Sequence, residues 1–307
     1  MGKHRISILG LMAGVALCAN GAAAEDIVVK GKALTKEEAH EQAKSYVQNI
    51  GIVTTVKPAA RWMDPICPKA LGIVDDKAAL VTARIRQIAG MIGARVAKPN
   101  CTANIIVTFA EDSGALVRRI NALDPRQFSE VPMNQRDNLL HGAMPIRWWY
   151  SSHIRAADNM PGVGAPLPWM NISNEGGGGG TESTSGASSN VTGTMTNGYR
   201  TSIIATMTKR SIEIADVVVD VKLAQGKNFD AVIDYVAMVS LAEIWPQGQV
   251  PGDSILSLFA GDPAPRELSA QDEALLKTLY RMPLDREGRY HRGRLVKDLT
   301  SHLATKR

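Results

Sequence analysis

Three carboxylates stand on an otherwise apolar stretch of this sequence: Asp230, Asp234 and Glu243. A spacing of four puts Asp230 and Asp234 on one helix face, where they would suit an acid/base pair or a cation site. The simpler expectation is the solvent edge of a mostly buried helix. The six histidines are scattered, at His4, His40, His141, His153, His291 and His302, with no H-x-H or H-x-x-x-H pair. A metal site would therefore need convergence from distant segments. Ser152-His153 sets a hydroxyl beside an imidazole, but neighbours on a strand point to opposite faces. There is no G-x-S-x-G and no P-loop. Trp62, Trp148, Trp149 and Trp169 could line a groove for a peptide or glycan, with Trp148, Trp149 and Tyr150 as its surface; more often such rings fill a core. No catalytic residue, metal ligand or cofactor is assigned from these patterns.

The elements that must position these residues read as follows. Thr35 and Glu38 form a capping box that opens a polar helix over about 36–48. An extended stretch follows, with Pro58, Pro65 and Pro68 around Arg61-Trp62. Asp75 and Asp76 begin a second helix, with Leu80, Ala83, Ile88 and Ile92 as its apolar positions and Gly93 as its stop. Asn104 to Ala110 is a strand rich in β-branched residues. Helices are expected through Leu116, Val117 and Ile120 and near 132–142. Ile146 to Ile154 reads as a strand, and extended segments are expected at about 200–208 and 211–223. Between them, 174–198 is mostly Gly, Ser, Thr and Asn, with five glycines at 176–180, and reads as a flexible loop. Asn228 to Ile244 is apolar almost all round, so it should be a central buried helix. Ser269 caps a final clear helix, with Asp272 three residues on. No βαβ repeat stands out. The expected fold is α+β, a mixed sheet with packed helices.

The order of elements from 200 to 280 resembles the second half of a zincin-like metallopeptidase domain of the matrixin type. In that family a strand leads into a buried helix carrying H-E-x-x-H-x-x-G-x-x-H. Here Asp230 to Ile244 occupies the place of that helix. Gly252-Asp253-Ser254-Ile255-Leu256 resembles the turn after it. Leu268-Ser269-Ala270-Gln271-Asp272 through Leu279-Tyr280 resembles the closing helix. On this alignment the two helix histidines fall at Val236 and Ser240, the general base at Ala237, the glycine at Glu243, the third histidine at Pro246 and the turn methionine at Leu256. The resemblance thus implies a zincin-like scaffold without its zinc ligands. Arg61-Trp62, Cys67-Pro68 and Arg147-Trp148-Trp149-Tyr150 are also similar to segments of exported alphaproteobacterial proteins, a likeness that implies no activity.

The first residues point to export. Lys3 and Arg5 precede the short apolar run Ile6 to Cys18, and Ala22 and Ala24 supply small side chains before a cleavage site at Glu25. Residues 1–24 are thus expected to be a signal peptide, and the protein to work in the periplasm or outside the cell. No later run is apolar and long enough to span a membrane. Cleavage leaves Cys67 and Cys101, which in an oxidising compartment read as a disulfide. It would close a loop of about 35 residues and stabilise the fold by roughly 3–4 kcal/mol. Residues 25–285 are expected to form one zincin-like domain, and 286–307 a basic C-terminal tail. From Lys277 to Arg307 there are nine Lys/Arg against three Asp/Glu, whereas the full chain carries only +5. Such a segment suits a solvated helix face or an anionic envelope surface. Nucleic acid is an unexpected partner outside the cytoplasm. The function expected is that of a non-catalytic, peptidase-like scaffold that binds a peptide or envelope component, with Ile146 to Ser151 as an edge strand able to pair with it. The alternative is a divergent hydrolase using dispersed residues such as Asp230, Asp234 or His153.

Overall fold

The computed structural model of the protein describes residues 34–54, 57–156, 206, 208–251 and 253–305. The expected signal peptide over 1–24, the loop 174–198, Trp169, Gly252 and most of the expected 200–208 strand lie outside the described residues. Ala33–Arg307 forms one compact unit.

Helix α1 (Lys36–Asn49) begins at the Thr35/Glu38 capping box read from the sequence. Two short strands follow, β1 (Ala60–Trp62) and β2 (Pro68–Leu71). Helix α2 (Asp75–Ile92) stops at Gly93, whose φ of 88° is left-handed and favours glycine. Its buried face is Val81, Ile85, Ile88, Ala89 and Ile92. Ile88 and Ile92 are buried as expected, whereas Leu80 and Ala83 face outward and Val81 and Ile85 take their place. Next come β3 (Ile105–Ala110), α3 (Ser113–Leu123), a 3₁₀ turn at Pro125–Phe128, α4 (Met133–His141) and β4 (Ile146–Ala156). Strand β5 (Thr208–Asp220) ends where the Asp220 carboxylate accepts the N–H groups of Lys222 and Leu223. The remaining helices are α5 (Phe229–Leu241), α6 (Ala270–Arg281) and α7 (Gly288–Thr305), with a 3₁₀ turn at Ile255–Ser257.

The strands form one mixed sheet. β1 and β3 both pair parallel with β5, β1 along its first half and β3 along its second, and β2 pairs parallel with β3. β4 runs antiparallel along the opposite side of β5. Among the described residues β4 is therefore an edge strand. The architecture is α+β, with the sheet mostly parallel. The succession β2–α2–β3 is a βαβ unit that the sequence reading missed, because β2 is too short to show a pattern. The disulfide between Cys67 and Cys101 joins the approaches to these two strands across 34 residues. No helix among the described residues is long and apolar enough to cross a membrane.

Helix α5 occupies the core, with every residue from Ala231 to Leu241 buried. Asn228 caps its start by accepting from the N–H groups of Asp230 and Ala231. Its other end is harder to satisfy, because the last carbonyls of a helix have no partners within it and this end is buried. Aromatic side chains supply the donors. Tyr150 donates to Val239 or Ala242, 2.7 and 2.9 Å away, Trp62 to Ser240 at 2.8 Å, and Tyr280 to Leu241 at 2.8 Å. Trp148 donates to Ile244 just beyond, at 2.9 Å. The neighbouring arginines serve other helix ends: Arg61 bonds Leu279 on α6, and Arg147 bonds Asn138, Leu139 and Gly142 at the end of α4. Of Trp148, Trp149 and Tyr150, expected as a possible binding surface, only Trp148 lines a cleft. They are 4%, 2% and 1% exposed. Their rings fill the core and, in two of the three, their polar tips terminate a buried helix.

Candidate functional site

The positions that align with zinc chemistry do not gather around open space. Val236, Ala237 and Ser240 are each 0% exposed. The Ser240 hydroxyl turns back to the Val236 carbonyl at 2.6 Å. No group of three His, Cys, Asp or Glu among the described residues is placed to hold a metal ion. His291 is buried between the Ala59 N–H, which donates to its Nδ1 at 3.1 Å, and the Pro283 carbonyl, 3.0 Å from its Nε2. An accepting Nδ1 makes this ring the neutral tautomer, and burial holds its pKa below the usual value. His153 lies on β4, 3.9 Å from Glu213, while the hydroxyl of Ser152 donates to Glu130 instead.

The three carboxylates of the buried helix part company. Asp230 and Asp234 do share one recess with Arg84, Arg266 and Glu267. Asp234 is already engaged there: Arg84 grips both its oxygens, at 2.6 and 2.8 Å, and the Leu268 N–H adds a third bond at 2.7 Å. That pattern staples α2, α5 and the approach to α6. Glu243 is the centre of a buried polar network. It accepts from Lys57 at 2.6 Å, Arg210 at 2.6 Å and the Trp245 indole at 3.1 Å. Burial pushes its carboxyl up, but the two cations outweigh that and hold it below the usual range. Arg210 continues the network to Ser152 and Glu130. Asp272 is a third such centre, which the sequence marked only as a cap. Its carboxylate accepts from Tyr46, Ser254, Ile255 and Ser269, at 2.5 to 3.1 Å. It thereby ties α1 and the 254–257 turn to the start of α6.

Asp216 has no such partner. It faces Trp149 across the β4–β5 pair and makes no hydrogen bond or ion pair among the described residues. Burial pushes its carboxyl up to about 6. The Trp149 indole N–H is also without a partner, and its ring lies 4.7 Å from that of Phe128.

Open space lies beside β4, away from Val236, Ala237 and Ser240. A cleft of about 610 Å³ runs between Ile146 and Trp148 on one side and the 245–260 segment on the other. Pro246 and Leu256, aligned with the third histidine and the turn methionine, do line it. Its floor is an aromatic series: Trp148 meets Tyr235 edge-on at 5.9 Å, and Tyr235 meets Phe259 at 5.7 Å. Gln135, Asn138 and Gln249 bring amides to the same cleft. Tyr235 is 8% exposed and its hydroxyl has no hydrogen-bond partner among the described residues. Burial raises its pKa, so it is a neutral donor. A second, more apolar recess of about 700 Å³ lies at the carboxyl ends of β2, β3 and β5, between Val74, Phe109, Val221 and Phe229. A groove with Trp148 beside the Ile146 strand was expected, but its opposite wall and the whole of the second recess come from segments far apart in the chain.

Comparison with known proteins adds no relative: no family model, curated protein or solved structure matches this chain.

Proposed function

We propose that the protein is an exported, non-catalytic scaffold that holds an extended peptide segment with an apolar or aromatic side chain in the cleft beside β4. The observation that carries this reading is Tyr235: a phenol whose ring is nine-tenths buried and whose hydroxyl has no partner among the described residues, in a largely apolar cleft. Its hydroxyl is open to the cleft and not sealed in the core, so it is free to donate to a ligand carbonyl there. Apolar walls with a few converging polar groups are the usual composition of a ligand site. The edge position of β4 supports an extended ligand, although Glu130 already occupies the N–H of Ser152. Catalysis by hydrolysis finds less support, because both oxygens of Asp234 are taken by Arg84.

A peptide library screened against the purified protein tests this, read by the fluorescence of Trp148 and Trp245, which line the cleft. We expect saturable binding, weakened roughly 5- to 30-fold in Tyr235→Phe by loss of one hydrogen bond. Leu256→Trp, which fills the cleft, should abolish it. Binding that ignores Leu256→Trp, or no binding across the library, overturns the proposal. Peptide turnover with stoichiometric zinc would overturn its non-catalytic part.

A further inference from the structure

The groove between α1 and α7 carries a charge pattern that the β4 cleft does not explain. The two helices run antiparallel: Thr300 meets His40 at 3.5 Å, while Gly288 at the start of α7 meets Thr54 beyond the end of α1. Lys36, His40 and Lys44 recur every four residues and form one row along the groove. Arg289, Arg292 and Lys297 face them from α7. The groove has a volume of about 660 Å³, and none of the described residues lining it is acidic. Glu41 lies 3.5 Å from Lys44, and Glu287 lies 2.6 Å from Arg289. Lys36, Arg292 and Lys297 form no ion pair among the described residues. Arg289 and Arg292, like charges one turn apart, weaken the helix that carries them. A bound anion would remove that penalty. Gly293 keeps the groove open, since a Cβ there would meet nothing within 4 Å.

We infer that this groove is a binding site for a phosphate-bearing anion, either a soluble phosphate compound or a phosphorylated lipid headgroup. The arginines supply paired N–H donors to phosphate oxygens, and the lysines supply point charges. A concave, single-sign groove concentrates the field on a discrete ligand more than a flat basic face does. The site is separate from the β4 cleft and stands or falls without it.

Two variants and two ligands test it. Gly293→Leu fills the groove and leaves every cation in place; Arg292→Gln/Lys297→Gln removes two cations and leaves the space. Arg126→Gln, on the 3₁₀ turn after α3, removes a cation outside the groove. Inorganic pyrophosphate should bind one-to-one by titration calorimetry. Both groove variants should weaken it at least tenfold, and Arg126→Gln should not. Vesicles of phosphatidylcholine with phosphatidylglycerol identify the source. Flotation that Gly293→Leu abolishes assigns a lipid headgroup; absence of flotation assigns a soluble phosphate compound. Absence of saturable pyrophosphate binding, or equal binding by wild type and both groove variants, overturns the site. Vesicle binding indifferent to Gly293→Leu does so too, since that is attraction to a general basic surface. Leucine at an exposed helix position should keep or raise the unfolding midpoint, so a folded variant is expected.

Discussion

Asp216 shows what a single half-buried, unpaired carboxyl does to the stability of the protein. Its carboxyl titrates at about 6 in the fold, against an ordinary 3.8. Between those values the native state binds more proton than the unfolded chain. Stability therefore falls as pH rises through the window and stays reduced above it. Asp216→Asn removes the cost of a desolvated charge. At pH 7.5 we expect it to be more stable than wild type by about 1–3 kcal/mol, with little difference at pH 4. Urea unfolding at the two pH values checks this; an equal offset at both would show that the charge of Asp216 is not penalised. Glu243 behaves the other way, because Arg210 and Lys57 hold its carboxylate charged. The sequence marked Glu243 as a carboxylate on an apolar stretch and did not mark Asp216 at all. It could not show which had found a cation, because Arg210 and Lys57 lie far from Glu243 along the chain.

At the scale of elements, the same few side chains are used to finish helices. Trp62, Tyr150 and Tyr280 close the end of α5, and Arg147 closes the end of α4. The Arg61-Trp62 and Arg147-Trp148 pairs serve as caps for buried helix ends. The disulfide works on a neighbouring unit, fastening the approaches to β2 and β3 around the α2 crossover. Cys67→Ser/Cys101→Ser should lose about 2–5 kcal/mol of stability. Thermal unfolding checks the loss, and equal midpoints with and without the bridge would refute it. Helix boundaries at Thr35, Gly93, Asn228 and Ser269 were legible because caps and stops are local chemistry. The inward face of α2 was legible in its second half, at Ile88 and Ile92, but not in its first, where Val81 and Ile85 and not Leu80 and Ala83 turn inward.

At the scale of the whole molecule, the basic C-terminal segment proves to be part of the core. Helix α7 packs on α1 and α6 and buries Leu295, Val296, Leu299 and Leu303. Gly288 at its start comes so close to the Thr54 carbonyl that a Cβ would stand 2.3 Å from that oxygen. Deletion of 286–307 should therefore abolish cooperative unfolding and expose apolar surface, and not merely detach a charged tail. Circular dichroism and dye binding on the truncated protein check this; a native-like cooperative transition would refute it. Membrane or anion binding must for the same reason be tested with point variants in α7, never by truncation.

What the sequence determined by itself was local or compositional. It marked most of the helices and strands, the α+β class, the cysteine pair and the row of cations near the chain end. Periodicity, capping and net charge need only neighbours in the chain to be read. Tertiary structure alone decided the rest. It set Val236, Ala237 and Ser240 inside the core and left the open cleft beside β4. It also brought Lys36, His40 and Lys44 opposite Arg289, Arg292 and Lys297. Those outcomes depend on which distant segments pack together, and a recess is the space that such packing leaves unfilled.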